Sequence, residues 1–177
     1  MRRIIVALAI GSAVFAQDTA KIPPSGRVTK IASPKALKFE VEVPGKLDDV
    51  WTAFTTGAGL NSWLWKDCTV DLRPGGGWIV HYPGGATGGG TIETFVPQKQ
   101  VVIHAMAPEK FPEVRRTGTT ATFDFAPSGD GTRVTLTQTG WKSGKEWDEA
   151  YEYLADGNAQ LLDQLKLRFV KGPLRWE

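Results

Sequence analysis

A long amphipathic pattern near the C-terminus constrains this chain more than any other feature. Apolar residues recur there at steps of three, four or seven, at Trp147, Tyr151, Leu154, Leu161, Leu165 and Phe169. The spacing predicts a helix of about 27 residues, roughly 40 Å long at 1.5 Å per residue. Ser143 and Glu146 indicate a capping box at its start, and Gly172-Pro173 indicates its end. A helix of this kind must bury its apolar stripe against another layer.

The residues before this helix supply that layer. Leu37, Phe39, Val41 and Val43 alternate with charged residues, which predicts a half-buried strand. Two short helices follow, the first with Val50 and Phe54 on its apolar face and the second around Leu60. From Asp67 to Thr139 the pattern indicates six short antiparallel strands. The prediction is an α+β, helix-grip fold: a curved antiparallel sheet of about seven strands around one long C-terminal helix, with two short helices after the first strand.

Two loops interrupt the predicted strands. Pro83 to Gly90 is rich in glycine, but it lacks the lysine of a phosphate-binding loop and precedes a strand rather than a helix. It is interpreted as a flexible hairpin loop at the mouth of a cavity. Ala107 to Thr117 carries two prolines and is interpreted as a second flap, with Phe111 as its apolar tip.

The start of the chain has the features of an export signal. Met1-Arg2-Arg3 is basic, the residues from Ile4 to Ala13 are apolar but too few to span a bilayer, and Val14-Phe15-Ala16 provides a cleavage site. The expected organisation is a signal peptide over residues 1–16, a mobile spacer over 17–35, one domain over 36–172 and a tail over 173–177. The localisation expected is periplasmic or secreted, with no stable membrane anchor after cleavage. The alternative is an uncleaved anchor.

Charge and composition narrow the partners. Removing residues 1–16 takes away two arginines and no acid, and so leaves about equal numbers of basic and acidic side chains. A nucleic-acid partner, which requires a basic surface, is therefore not expected. Cys68 is the only cysteine and there are two histidines, so neither an intramolecular disulfide nor a structural zinc site is expected, and no metal or cofactor is predicted. Cys68 is interpreted as a buried, inert thiol.

Several short motifs resemble a known family. They are Val50–Thr55, Leu60–Trp63, Arg73–Trp78, Gly89–Glu93 running to Pro97, Gly131–Thr137 and Thr139–Trp141. In this order the chain resembles the START-like, or Bet v 1-like, superfamily (SRPBCC), and within it the family named after the activator of the Hsp90 ATPase. The resemblance covers roughly residues 36 to 170 and implies the helix-grip fold. It carries over no shared catalytic residue, because members are described as lipid-transfer proteins, cyclases and co-chaperones. The exported start departs from the family's mostly cytoplasmic members.

The seven tryptophans suggest an aromatic-lined cavity. Gly157 in mid-helix suggests a thin spot that leaves room for a ligand. The alternative is a core that the same aromatic rings fill. The predicted ligand-binding residues are Trp51, Trp63, Trp65, Trp78, Phe95, Phe123, Trp141, Tyr151 and Leu154. The leading hypothesis is a non-enzymatic protein that binds a small, mainly hydrophobic ligand.

Two other hypotheses stay open. His81, Glu93 and His104 lie on three strands expected to be neighbours. If all three pointed into the cavity, they would supply acid–base groups for an enzyme of the cyclase or hydrolase type. Two solvated histidines are the alternative. A protein-interaction module, as the co-chaperone relatives suggest, is the third hypothesis, with a protein partner and an unknown oligomeric state.

Overall fold

A computed structural model describes residues 27–176 of the chain. Its elements run in the order β1 (Arg27–Ala32), β2 (Lys35–Val43), α1 (Leu47–Thr55), α2 (Gly57–Asn61), β3 (Cys68–Val70), β4 (Gly77–His81), β5 (Thr87–Val96), β6 (Gln100–Ala105), α3 (Pro112–Thr117), β7 (Thr119–Ser128), β8 (Gly131–Thr139) and α4 (Lys145–Lys171). Residues 1–26, with the expected signal peptide and most of the expected spacer, lie outside the described part. Within residues 27–176 no helix is both long and apolar enough to cross a bilayer.

The strands form a single curved antiparallel sheet in the order β1-β2-β8-β7-β6-β5-β4-β3. This arrangement and the long helix α4 confirm the helix-grip prediction, with eight strands instead of about seven. The additional strand is β1. Residues 27–32 were expected in a mobile spacer, but they pair with β2 in continuous register from Arg27 opposite Glu40 to Ala32 opposite Lys35. That expectation was wrong because β1 is exposed and its sequence carries no apolar alternation.

Helix α4 buries most of its predicted stripe, largely against the inner face of the sheet and, at Trp147, against α3. Trp147, Tyr151, Leu154, Leu161 and Leu165 are all buried. The strands contribute the inward half of each alternation, of which Leu37, Phe39, Val41 and Val43 on β2 are fully or almost fully buried. Both layers thus remove their apolar faces from water by covering each other.

The predicted capping box at the start of α4 is wrong. The helix begins at Lys145 after Gly144, and no side chain caps its first turn. The carboxylate of Glu146 instead turns away from α4. Its Oε1 accepts the backbone N–H groups of Glu113 and Val114, at 2.7 and 3.0 Å, and so caps the N-terminus of α3.

The glycine-rich loop is shorter than predicted. Gly88, Gly89 and Gly90 belong to β5 and pair with Val80, Ile79 and Trp78 of β4. Only the residues from 82 to 86 form the turn, which the backbone N–H of Tyr82 closes on Ala86 O at 2.9 Å.

The tail after α4 docks on the α2 region. The Leu174 N–H donates to Ser62 O at 2.8 Å. The Trp176 indole donates to Asn61 O, and its ring lies 5.5 Å from that of Trp65. The last helical turn joins the same contact, because Arg168 Nε donates to Ser62 Oγ at 3.0 Å.

Candidate functional site

A small cavity lies between α4 and the inner face of the sheet. Its volume is about 30 Å³. Strands β4 to β8, the residue after β6 and one face of α4 form its walls. The lining residues are Trp78, Gly89, Ile103, Ala105, Met106, Ala121, Phe123, Leu136, Gln138, Leu154, Asn158 and Leu161. None of them carries a titratable side chain.

Small residues account for the space. Gly89, Ala105 and Ala121 line the cavity but carry no side chain beyond Cβ. Close backbone contacts keep this part of β5 free of side chains. A Cβ on Gly89 would lie 1.8 Å from Trp78 O, and one on Gly90 would lie 2.1 Å from His104 O. The inner face of the sheet therefore lacks large side chains at these positions, and this leaves space beneath α4.

Two buried amides supply the polar side chains of the cavity wall, and one of them continues the hydrogen bonds to a buried hydroxyl. Asn158 Nδ2 donates to Gln138 Oε1 at 2.7 Å, and Gln138 Nε2 donates to Thr119 Oγ1 at 2.8 Å. All three residues are at most 8 % exposed. Each amide has further donor or acceptor capacity, since an amide side chain offers two N–H donors and an oxygen with two lone pairs. A ligand in this cavity would meet apolar walls with hydrogen-bonding groups at one point.

Three of the nine predicted ligand-binding residues lie in the cavity wall. They are Trp78, Phe123 and Leu154. The Trp78 indole donates to Phe54 O at 2.9 Å, and this hydrogen bond fixes the ring in the cavity wall. Ligand contact by these three residues stays a prediction.

The other six predicted residues lie outside the cavity wall, where Trp51, Trp63, Trp65, Phe95, Trp141 and Tyr151 pack in or around the core. Trp63 is fully buried and donates to Ala53 O at 2.9 Å. Trp141 and Tyr151 contact each other edge to face, with ring centroids 5.0 Å apart. The Tyr151 hydroxyl donates to Ala36 O at 2.9 Å. For these residues the alternative interpretation, that aromatic rings fill the core, describes the structure better.

The proposed trio of His81, Glu93 and His104 does not meet in the cavity. His104 alternates with the buried Val101, Ile103 and Ala105, so it projects from the outer face of the sheet. His104 Nδ1 lies 3.8 Å from Glu93 Oε1, and both side chains are nearly half exposed.

His81 is separate from that pair. It alternates with the buried Trp78 and Val80, which also places it on the outer face, and its Nε2 lies 3.0 Å from Thr69 Oγ1. The idea that the trio provides acid–base groups inside the cavity was therefore wrong, because the strand alternation directs all three outward. Within residues 27–176 no three His, Cys, Asp or Glu side chains come together as a metal site would require.

The thiol of Cys68 is buried, as predicted. Burial raises its pKa to about 12. Its Sγ donates to Trp65 O at 3.3 Å. A thiol with so high a pKa is protonated at neutral pH and is a poor nucleophile.

The second predicted flap is a docked helix. Residues 112–117 form α3, and Phe111 is buried beside Tyr153, with ring centroids 5.6 Å apart. Val114 packs against Trp147 and Ala150 of α4. This segment packs against α4 and so does not form a free flap.

Sequence reasoning missed the polar residues of the cavity. Gln138 continues the inward alternation of Val134 and Leu136 on β8, and Asn158 lies between Leu154 and Leu161 on the apolar stripe of α4. A polar side chain at a position whose periodicity demands burial is a signal that the sequence does contain.

Solved structures with the same fold come from several bacteria. The Aha1 dimer from Colwellia psychrerythraea superposes with a TM-score of 0.63 at 19 % identity, over 77 % of this chain and 97 % of that one. The protein MLL2253 from Mesorhizobium loti gives 0.65 at 17 % identity, over 78 % and 99 %. CalU16 from Micromonospora echinospora gives 0.59 at 21 % identity, over 85 % and 84 %. At these identities the likeness establishes the fold.

No curated protein matches the chain in sequence. A family model does match it. The model for activator of Hsp90 ATPase homolog 1-like proteins matches residues 44–169, which is most of the chain and includes both the cavity and α4. The fold is one of ligand-binding and interaction domains. This chain therefore belongs to the family of activator of Hsp90 ATPase homolog 1-like proteins.

Proposed function

We propose that this chain binds a small, mainly hydrophobic molecule in the cavity beneath α4 and does not transform it. The observation that carries the proposal is an apolar cavity in which, among residues 27–176, the joined amides of Gln138 and Asn158 are the only hydrophilic side chains. Small-molecule sites typically combine apolar walls with a few polar groups that fix the ligand's orientation.

The composition of the wall favours binding over catalysis. General acid–base chemistry needs a titratable group within hydrogen-bond reach of the reacting atoms. No lining residue is titratable, and the histidines and Glu93 lie on the opposite face of the sheet. Amide groups can hold a ligand's carbonyl or hydroxyl, which is the role proposed for Gln138 and Asn158.

Binding requires the cavity to widen. A volume of about 30 Å³ has room for water. A pocket for a drug-sized ligand measures roughly 300 to 1,000 Å³. The proposal therefore includes a displacement of α4 from the sheet, with Met106, Leu154 and Leu161 changing their side-chain conformations. These unbranched or singly branched side chains on the cavity wall can adapt more easily than the fixed ring of Trp78.

Export is part of the same proposal. The basic start, short apolar stretch and small-residue site over residues 1–16 support a periplasmic or secreted protein. In that location a carrier would meet ligands that arrive from outside the cytoplasm.

A dye titration tests the proposed function. N-phenyl-1-naphthylamine is a neutral dye that fluoresces in apolar surroundings, and it should bind the wild-type protein. Ala121→Leu adds a side chain to the cavity wall, whereas Ala126→Leu adds the same atoms at an exposed position of the same strand. We expect Ala121→Leu to weaken the dye's affinity about tenfold or more, and Ala126→Leu to leave it within about twofold.

Equal affinities for the two leucine variants would contradict binding in this cavity. Thermal unfolding of each variant checks that the fold persists. Should Ala121→Leu fail to fold, Ala105→Val adds less volume to the same wall and serves the same comparison.

A second candidate function is a protein-interaction domain. Strand β1 forms one edge of the sheet, and five of its six residues are exposed. Such an edge offers unpaired backbone groups to another chain. A protein of the same fold, from Colwellia psychrerythraea, is described as a dimer. Native mass spectrometry of the protein purified from the cell that exports it separates the two candidates. A retained small molecule supports ligand binding, and a second protein chain supports the interaction domain.

A further inference from the structure

Arg115 is a half-buried cation that has no acidic partner in the described part of the chain. Its Nη1 donates to Ala107 O at 2.6 Å and its Nη2 to Thr87 O at 3.5 Å. Within residues 27–176 no carboxylate lies within 4.0 Å of its guanidinium, whereas other basic side chains such as Lys35 and Arg133 form ion pairs. A guanidinium has five N–H donors, so most of its donor capacity is not used by these two carbonyls.

The two carbonyls place this cation at one edge of the cavity. Ala107 directly follows Met106, and Thr87 lies two residues before Gly89. Met106 and Gly89 both line the cavity, and the Met106 N–H donates to Gly89 O at 2.9 Å. Arg115 therefore bridges the two chain segments that form this wall.

The helix that carries Arg115 is held in place before any ligand arrives. Glu146 of α4 caps its N-terminus, and Val114, next to Arg115, is fully buried. The Trp147 indole donates to Glu113 Oε1 at 3.0 Å and adds a third link between α3 and α4. A cation fixed in this way loses little side-chain freedom when it binds an anion.

We propose that the ligand of the cavity is an amphiphile with one anionic group, and that Arg115 binds this group at the cavity edge while the apolar part enters beneath α4. This proposal rests on the proposed function and adds the charge of the ligand to it. A planar guanidinium with free N–H donors is suited to a carboxylate, sulfonate or phosphate, each of which accepts two parallel hydrogen bonds. No titratable group lines the cavity itself, and among residues 27–176 Arg115 is held by two carbonyls beside its wall.

Two matched dyes test this inference. The neutral dye N-phenyl-1-naphthylamine and the anionic dye 8-anilino-1-naphthalenesulfonate share the same ring skeleton and differ by the sulfonate. We expect Arg115→Gln to weaken the sulfonate's affinity about tenfold and the neutral dye's affinity less than about twofold. Arg115→Lys should lie between wild type and Arg115→Gln, because it keeps the charge and loses the planar donors.

Arg116→Gln is the matched control, since Arg116 is exposed in the same helical turn. It should leave both affinities within about twofold. If Arg115→Gln does not fold, added salt gives a second measurement on the wild-type protein. Salt should weaken the binding of the sulfonate and leave that of the neutral dye unchanged, because screening acts on charge pairs.

The outcomes separate the two proposals. If Arg115→Gln weakened the affinities of both dyes equally, Arg115 would only hold the start of β5 to the segment after β6. That result would overturn the anionic-ligand inference alone. Salt-independent binding of the sulfonate would overturn it as well. If Ala121→Leu bound the neutral dye with the same affinity as the wild type, the proposed function would be overturned and this inference with it.

Discussion

Asn158 and Gln138 join α4 to β8 inside the core. The Asn158 amide donates to Gln138 Oε1 at 2.7 Å, and both side chains are at least nine-tenths buried. Gln138 passes the contact on to Thr119 on β7. This chain of hydrogen bonds ties the helix to two strands where the cavity interrupts apolar packing.

Asn158→Ala should therefore destabilise the protein. It removes the N–H donor of Gln138 Oε1 and leaves that buried acceptor without a protein partner. The expected loss in the free energy of unfolding is about 1–3 kcal/mol, measured by urea denaturation. Gln160→Ala, at an exposed position of the same helix, should change it by less than about 0.5 kcal/mol.

A double-mutant cycle separates the hydrogen bond from the loss of packing. The coupling free energy between Gln138→Ala and Asn158→Ala should reach about 0.5 kcal/mol or more. Additive effects of the two substitutions would show that the hydrogen bond contributes nothing to stability.

Gly90→Ala should disrupt the sheet. A Cβ at this position would lie 2.1 Å from His104 O and 2.8 Å from Ile103 Cγ2, so β5 and β6 would have to separate. We expect a loss on the order of 3 kcal/mol or more, seen in urea denaturation or as a failure to fold. Gly84→Ala is the comparison, because its φ is +86° but nothing lies within 4 Å of the added atom. It should cost about 1 kcal/mol. A Gly90 variant as stable as the Gly84 variant would contradict the close approach.

The fold was predictable where periodicity and burial agree. The alternation from Leu37 to Val43 and the stripe from Trp147 to Phe169 correctly located β2 and α4, because burial on one face imposes a period on the sequence. The strand over residues 27–32 carries no such pattern, since its contribution is backbone pairing at an exposed edge. The start of β5 was missed for a different reason. Glycine normally weakens a strand, and close approach to Trp78 O is a tertiary effect.

Less of the candidate site was predictable. Aromatic residues indicate burial, but whether a ring faces a cavity or a neighbouring ring depends on the packing of distant segments. Phe54 illustrates this, since its ring lies 4.5 Å from that of Phe123 and 5.3 Å from that of Trp78 and so fills the space beside two cavity residues. The position of Arg115 depends on carbonyls at the start of β5 and after β6, which no local pattern specifies.

Glu146→Ala should loosen α3. The Glu146 carboxylate accepts the N–H groups of Glu113 and Val114, and its loss leaves both without this partner. We expect a loss of about 1 kcal/mol in the free energy of unfolding and faster hydrogen exchange at these two amides. Glu146→Gln should lose less, because a neutral oxygen still accepts a weaker hydrogen bond.

Glu149→Ala serves as the control for Glu146. Glu149 is exposed, and its ion pair with Lys145 spans 3.9 Å, so its removal should change stability by less than about 0.5 kcal/mol. Unchanged exchange at the Glu113 and Val114 amides in Glu146→Ala would contradict the capping role.

Cys68 should make stability depend on pH in alkaline solution. Burial raises the pKa of its thiol from 9.0 to about 12, so the folded state keeps the proton to higher pH than the unfolded state does. The stability from burying the neutral thiol is fully present below the unfolded pKa, and it falls as the unfolded chain loses its proton above about pH 9. Between pH 8.5 and 10 the wild type should lose about 1 kcal/mol relative to Cys68→Ala. Comparison with this variant cancels the other titrating groups, including Tyr82, whose pKa burial also raises. Urea denaturation of both proteins across this range measures the difference, and parallel pH profiles would show that the thiol is not held neutral by the fold.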